Sequence, residues 1–266
     1  MAQALITGGS SGIGLALATR LVRDGHAVSL LARDAAKLAA ARERILALAP
    51  SAQVLTYSVD VGDREACADV VRRAIGQGGP PSWAIACAGI VKPYRFLDQP
   101  FSAHQEQMQT NYFGSLNFAQ AVVPPMIANG GGKLVFVSSA AAICGVYGYS
   151  GYGASKFAVR GLAESLRVEL RPEGIAVTVV YAPDTDTPQL AAERAERSAI
   201  TARIADAGGL WQPQAVADAV IGGALRGKFV VAPGLPVRLL HLLQGLVAPV
   251  FRWRQDLIIA AMSPRR

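Results

Sequence analysis

The chain has 266 residues, of which 17% are charged and 52% hydrophobic, with a net charge of +7. That length suits one large α/β domain, and its mean hydropathy of +0.30 is higher than a water-soluble enzyme requires. Cys67, Cys87 and Cys144 are odd in number and form no Cys-x-x-Cys pair, which argues against a disulfide framework and a zinc site and points to a reducing, cytoplasmic setting.

The first strand is expected at Gln3–Thr7, so close to the initiator that no signal peptide or N-terminal anchor is expected. Thr7-Gly8-Gly9-Ser10-Ser11-Gly12-Ile13-Gly14 follows it and opens a helix over 12–24. Glycines allow a tight turn and close approach of a pyrophosphate, and the helix N-terminus offers free N–H groups and a positive dipole end. In this strand-turn-helix context Gly8, Ser10, Ser11, Gly12, Ile13 and Gly14 read as a dinucleotide-binding turn rather than a purely structural one.

A second strand is expected over 27–32 and a helix over 35–49. Where dinucleotide folds often place a ribose-binding acid, this chain has Ala32 followed by Arg33, a cation that would pair with a 2′-phosphate and so favours NADPH over NADH. The third strand, 53–59, ends at Asp60-Val61. Asp60 suits either the adenine amino group or a turn. A helix over 64–77 and a strand over 83–87 lead to Cys87-Ala88-Gly89.

One continuous helix is expected from Phe101 to Ile127, carrying Asn111, and a strand over 133–138 ends at Ser138-Ser139. The next helix, 151–171, contains Tyr152 and Lys156. Helical spacing of four puts phenol and ammonium on one face, where the cation favours the phenolate and brings the tyrosine pKa toward working pH. Strands over 176–181 and 229–231 and a helix over 213–226 complete a doubly wound parallel α/β sheet of Rossmann type, with sites outside the strands' carboxyl ends. The long connection 183–209 fits either a mobile cover over the cleft or a surface helix pair.

The glycine turn, Asp60, Cys87-Ala88-Gly89, Asn111, Ser139 and Tyr152-x-x-x-Lys156 together resemble the short-chain dehydrogenase/reductases, from Gln3 to about Val231. The resemblance implies that Tyr152 is the acid/base, that Lys156 lowers its pKa and holds the nicotinamide ribose, that Ser139 bonds the reacting carbonyl, that Asn111 holds a relay water, and that Ala88 and Gly89 are cofactor-binding. Two segments depart from the family's pattern. Ala86-Cys87-Ala88-Gly89 replaces Asn-Asn-Ala-Gly and loses amides that brace the sheet, and Ala182-Pro183 stands where Pro-Gly usually precedes the nicotinamide-binding threonine, here Thr187.

Pro183-Asp184-Thr185-Asp186-Thr187-Pro188, with Val135-Phe136-Val137-Ser138-Ser139 and Ser155 to Glu164, looks like the 3-ketodihydrosphingosine (3-dehydrosphinganine) reductases. That resemblance implies NADPH as cofactor and a long-chain amino-ketone as substrate, whose ammonium Asp184 or Asp186 would meet. A reductase of 3-oxoacyl thioesters or other lipophilic ketones would share the catalytic residues, and a non-catalytic NADP-binding scaffold would share the fold.

Seven of the basic residues but only Asp256 among the acids lie from Arg226 onward. We therefore divide the chain into a catalytic domain, 1–234, and an apolar, basic helical segment, 235–266. The run 239–251 is short for a spanning helix. Its aliphatics interleaved with Arg238, Arg252, Arg254 and Trp253 fit an interfacial segment on an anionic membrane surface, and fit equally a contact within the domain or a homo-oligomer. The same interleaving disfavours nucleic acid.

Overall fold

The computed structural model describes residues 2–206 and 209–262. Its centre is a seven-stranded, all-parallel sheet in the order β3-β2-β1-β4-β5-β6-β7. The strands are β1 (Gln3–Thr7), β2 (Ala27–Ala32), β3 (Val54–Ser58), β4 (Pro81–Ala86), β5 (Gly132–Ser139), β6 (Ile175–Ala182) and β7 (Val230–Val231). Near-continuous aliphatic runs suit strands covered on both faces. On one face Phe118, Phe136 and Tyr181 close the core, and on the other Leu17, Leu30, Ile85 and Val220 do so, all fully buried.

Helices α1 (Gly12–Arg23), α2 (Ala35–Leu48) and α3 (Arg64–Gly78) connect the first four strands. Asp34 caps α2 by accepting from Lys37 N, and Asp63 caps α3 by accepting from Ala66 N, which explains where both helices start. The chain reverses its winding between β1 and β4, the neighbours on either side of the switch point. A crevice must open there at the strands' carboxyl ends.

The single helix expected over 101–127 is divided. α4 (Phe101–Gln107) passes into a π-helical turn at Met108–Phe113 and then into α5 (Gly114–Ala128). Apolar periodicity does not reveal such a turn, because the buried positions through it are the polar residues Gln107, Asn111 and Ser115. After β5, α6 (Ser150–Glu169) carries the Tyr-x-x-x-Lys motif. The 183–209 connection contains two helices, α7 (Pro188–Glu196) and α8 (Ala199–Ala205), capped by Thr187 and Ser198 respectively. α9 (Pro213–Leu225) then leads to β7.

The tail forms α10 (Leu235–Leu242) and α11 (Gln244–Met262). Val237 and Ala248 enter the main core cluster. Buried Gln255 accepts from Tyr147 N at 3.2 Å and donates to Gly145 O at 2.9 Å, while Gln244 donates to Ile143 O at 2.8 Å. One face of α11 thus braces the loop between β5 and α6. Leu246, Val250, Trp253 and Leu257, spaced four, three and four apart, are exposed on the helix. Arg265 and Arg266, counted in the basic tail, lie outside the described residues.

Candidate active site

A cleft of about 470 Å³ opens at the carboxyl ends of the strands. Its wall includes Gly8, Ser10, Ser11, Gly12, Ile13, Gly14, Arg33, Asp60, Val61, Ala88, Gly89, Ser139, Tyr152, Lys156, Asp184 and Thr187. Residues from Gly8 to Glu193 meet there because the strands end at the same edge of the sheet.

The glycine turn is built for close approach. Gly8 and Gly12 have φ of +67° and +52°, in the left-handed region that favours glycine. A Cβ on Gly8 would lie 2.9 Å from Ala88 N, and one on Gly14 would collide with the Gly8 carbonyl oxygen. Behind the turn, the Thr7 hydroxyl accepts from Cys87 N at 3.0 Å and Ala88 N at 3.1 Å. It ties β1 to the end of β4, where this chain lacks the family's amides. Thr187, besides capping α7, would touch a Cβ on Gly12 at 2.9 Å, so the end of β6 is packed onto the turn.

At the far end of the cleft, Arg33 is exposed and joined by Lys37 from the first turn of α2. Sequence reasoning passed over Lys37, although its position one turn after Arg33 was the signal. Asp60 accepts from Gly62 N at 2.9 Å, so one of its oxygens serves the turn while the residue still lines the cleft. Positive-φ glycines, the N-terminus of α1 and two cations form a cradle that fits a dinucleotide with a 2′-phosphate.

At the other end, Ser138 donates to Lys156 O at 3.0 Å and joins β5 to α6. The Ser139 hydroxyl accepts from Ala141 N at 3.2 Å. Burial raises the Tyr152 pKa well above its usual value, the Glu193 carboxylate raises it further, and the Ser139 hydroxyl draws it back. The phenol is therefore held protonated, the form that can donate to a carbonyl oxygen. The Lys156 ammonium donates to Val137 O at 3.1 Å and lies 5.7 Å from the centre of the Tyr152 ring. Burial lowers its pKa to about 8. Burial and Glu193, rather than Lys156, are thus the leading influences on the phenol.

Two expected residues sit differently. Asn111 is fully buried in the π-helical turn. Its amide oxygen accepts from Ile90 N at 2.8 Å, and its amide nitrogen donates to Ile90 O at 2.9 Å and Ser155 Oγ at 2.8 Å. With both N–H groups committed, the side chain clamps the segment after β4 and does not line the cleft. Asp186 is exposed and outside the cleft wall, accepting from Gln212 Nε2 at 3.4 Å. Trp211 separates the two acids by pairing with Asp184 O and Asp186 N on either side of a parallel bridge at Thr185.

Asp184 does line the cleft, but its carboxylate is held by Arg197 at 3.1 Å. Arg197 also pairs with Glu193, and Glu193 in turn takes a hydrogen bond from Tyr149, whose ring meets Tyr152 edge-on at 5.5 Å. Tyr149, Glu193 and Arg197 were not singled out from sequence. Glu193-x-x-x-Arg197 looks like any surface helix pair until α7 is seen to cover the site.

The short chain dehydrogenase family model matches residues 2–198. This chain belongs to that family. It is 37% identical over 252 residues to the 3-dehydrosphinganine reductase of Danio rerio, covering 94% of this chain and 76% of that one. It is 41% identical over 229 residues to 3-dehydrosphinganine reductase TSC10B of Arabidopsis thaliana, covering 85% and 68% respectively. Among solved structures, a short-chain dehydrogenase from Sphingobium yanoikuyae in complex with NADPH superposes with a TM-score of 0.80 at 28% identity, over 95% of this chain and 96% of the other. Levodione reductase superposes with a TM-score of 0.81 at 25% identity, over 88% and 96%.

Proposed function

We propose that this chain is an NADPH-dependent ketone reductase that converts 3-ketodihydrosphingosine to dihydrosphingosine in sphingolipid synthesis. The observation that carries the chemistry is one cleft lined by the glycine turn and Arg33 at one end and by Ser139, Tyr152 and Lys156 at the other. Identity to the 3-dehydrosphinganine reductases over most of the chain supports the choice of substrate.

Gly8 to Gly14, Asp60, Val61, Ala88, Gly89 and Thr187 would hold the dinucleotide, with Arg33 and Lys37 at its 2′-phosphate. When bound, NADPH supplies the hydride. Ser139 and Tyr152 direct donors at the carbonyl oxygen, where negative charge develops as the ketone is reduced. Tyr152 gives up its proton there, and the neighbouring Lys156 ammonium stabilises the phenolate left behind. Asn111 supports this arrangement from behind by fixing Ile90 and, through Ser155, the first turn of α6.

The test follows NADPH oxidation with 3-ketodihydrosphingosine against an acetoacetyl thioester. Preference for the long-chain amino-ketone is expected. Equal or better use of the thioester would favour the wider class of 3-oxoacyl reductases, and no turnover with any ketone would favour a scaffold.

The exposed stripe of Leu246, Val250, Trp253 and Leu257 on α11, flanked by Arg252 and Arg254, supports peripheral contact with an anionic membrane surface, where a long-chain substrate would be met. No helix among the described residues is long and apolar enough to cross a membrane. Because Val237 and Ala248 are core residues, substitution of the stripe is a cleaner test than truncation. Changing the four stripe residues to serine is expected to abolish flotation with phosphatidylserine vesicles. Unchanged flotation, with a shift in sedimentation instead, would assign the face to a contact between copies of the chain.

A further inference from the structure

Glu193 occupies an unusual position on α7. Its side chain is 9% exposed, lines the cleft, and packs beside Arg197, which is 2% exposed. All of its hydrogen bonds fall on Oε1, which accepts from the Tyr149 hydroxyl and from Arg197 Nε at 2.9 Å and forms an ion pair with Arg197 Nη2 at 2.7 Å. Oε2 has no hydrogen-bond partner among the described residues.

The other acids of this cluster are already engaged. Asp184 meets Arg197 Nη1 at 3.1 Å and Nη2 at 3.4 Å. Asp206 meets Arg197 at 3.2 Å and Arg194 at 3.6 Å. Three carboxylates thus share two guanidiniums, leaving one formal negative charge; Asp206 is bonded only through Oδ1 but is 53% exposed and outside the cleft wall, so the open acceptor on the cleft belongs to Glu193. Oε2 keeps contact with solvent on the cleft side, so a cation entering the cleft would pair with it in partly desolvated surroundings, where the attraction is stronger than in water.

Its location says which cation. Glu193 accepts from Tyr149, whose ring meets that of Tyr152 at 5.5 Å, and it lines the same cleft as Tyr152. In a 2-amino-3-ketone the ammonium sits on the carbon next to the carbonyl, so a ketone oxygen at Tyr152 puts the ammonium within a few bonds of that phenol. We propose that Glu193 Oε2 binds the substrate ammonium and sets selectivity for an α-amino ketone, with Tyr149 and Arg197 positioning the carboxylate. The inference rests on the function proposed above and moves the amine-binding role from the aspartates 184 and 186 to a helix covering the cleft.

The experiment compares kcat/KM, at saturating NADPH, for 3-ketodihydrosphingosine and for the same long-chain ketone lacking the amine. The wild-type enzyme should favour the amino-ketone by roughly 10- to 100-fold, as expected for one charge-assisted hydrogen bond in a partly buried site. Glu193→Gln should reduce that ratio to near one, mainly through a higher KM for the amino-ketone, because the amide keeps the shape but not the charge. A purely structural role would move both substrates together and leave the ratio intact, which overturns the proposal. A wild-type ratio near one also overturns it, without recourse to any variant. Absence of turnover with both ketones removes the proposed function and this inference with it, an outcome distinct from turnover without selectivity.

Discussion

Lys156→Met is the substitution that reports most directly on the electrostatics of the site. Burial lowers the Lys156 pKa from 10.5 to about 8. At about 1.4 kcal/mol per pH unit, holding that ammonium in the folded protein costs about 3 kcal/mol at neutral pH. Below pH 8 both folded and unfolded chains carry the proton, and the cost is present in full. Between about 8 and 10.5 the folded state loses its proton first. The unfolded chain then binds more protons, so the wild-type protein gains stability as pH rises. Methionine has no such dependence. Urea unfolding followed by circular dichroism, without added nucleotide, should find Lys156→Met more stable than wild type near pH 7 if loss of the bond to Val137 O does not offset the gain. Whatever that fixed offset, the difference between the proteins should change by about 3 kcal/mol in favour of wild type by about pH 11. A difference that stays constant across this range would refute the assignment of Lys156 as a buried, proton-losing cation.

Tyr152→Phe should lower kcat by roughly 10²- to 10⁴-fold, the range for loss of a general acid, while NADPH still quenches protein fluorescence with near wild-type affinity. Replacing Arg33 and Lys37 with serine should raise the KM for NADPH about 10- to 100-fold and change the KM for NADH little, since charge-assisted contacts to a 2′-phosphate are lost; equal effects on both would place the 2′-phosphate elsewhere. Gln255→Leu should cost about 1–3 kcal/mol, measured by calorimetry, because it leaves Tyr147 N–H and Gly145 C=O without their partner. An unchanged Tm would mean that α11 does not brace the loop between β5 and α6.

Most of the fold is legible along the chain because its signals are local. Apolar runs such as Leu134 to Val137 mark buried strands, Asp34 and Asp63 mark helix starts, and the glycines from Gly8 to Gly14 have few uses between a strand and a helix. The π-helical turn at Asn111 is not legible in the sequence, since the residues it buries, Gln107, Asn111 and Ser115, are polar and carry no apolar periodicity to be interrupted. The tail's composition announced an amphipathic element, but not that Gln255 would be its buried anchor. A glutamine between arginine and aspartate reads as surface.

The linear spacing of Tyr152 and Lys156 points to hydride-transfer chemistry only beside Ser139, Asn111 and the glycine turn; helix geometry then converts a separation of four into a shared face. Which carboxylate is available to a substrate is a different kind of question. Asp184 and Asp186 are two residues apart, yet one is engaged by Arg197 and the other lies outside the cleft, while Glu193 keeps one oxygen open. Ion pairing and desolvation act over a few ångströms in space, so the partner a charge finds depends on how α7 packs over the strand ends. No pattern of neighbours in the sequence contains that distance.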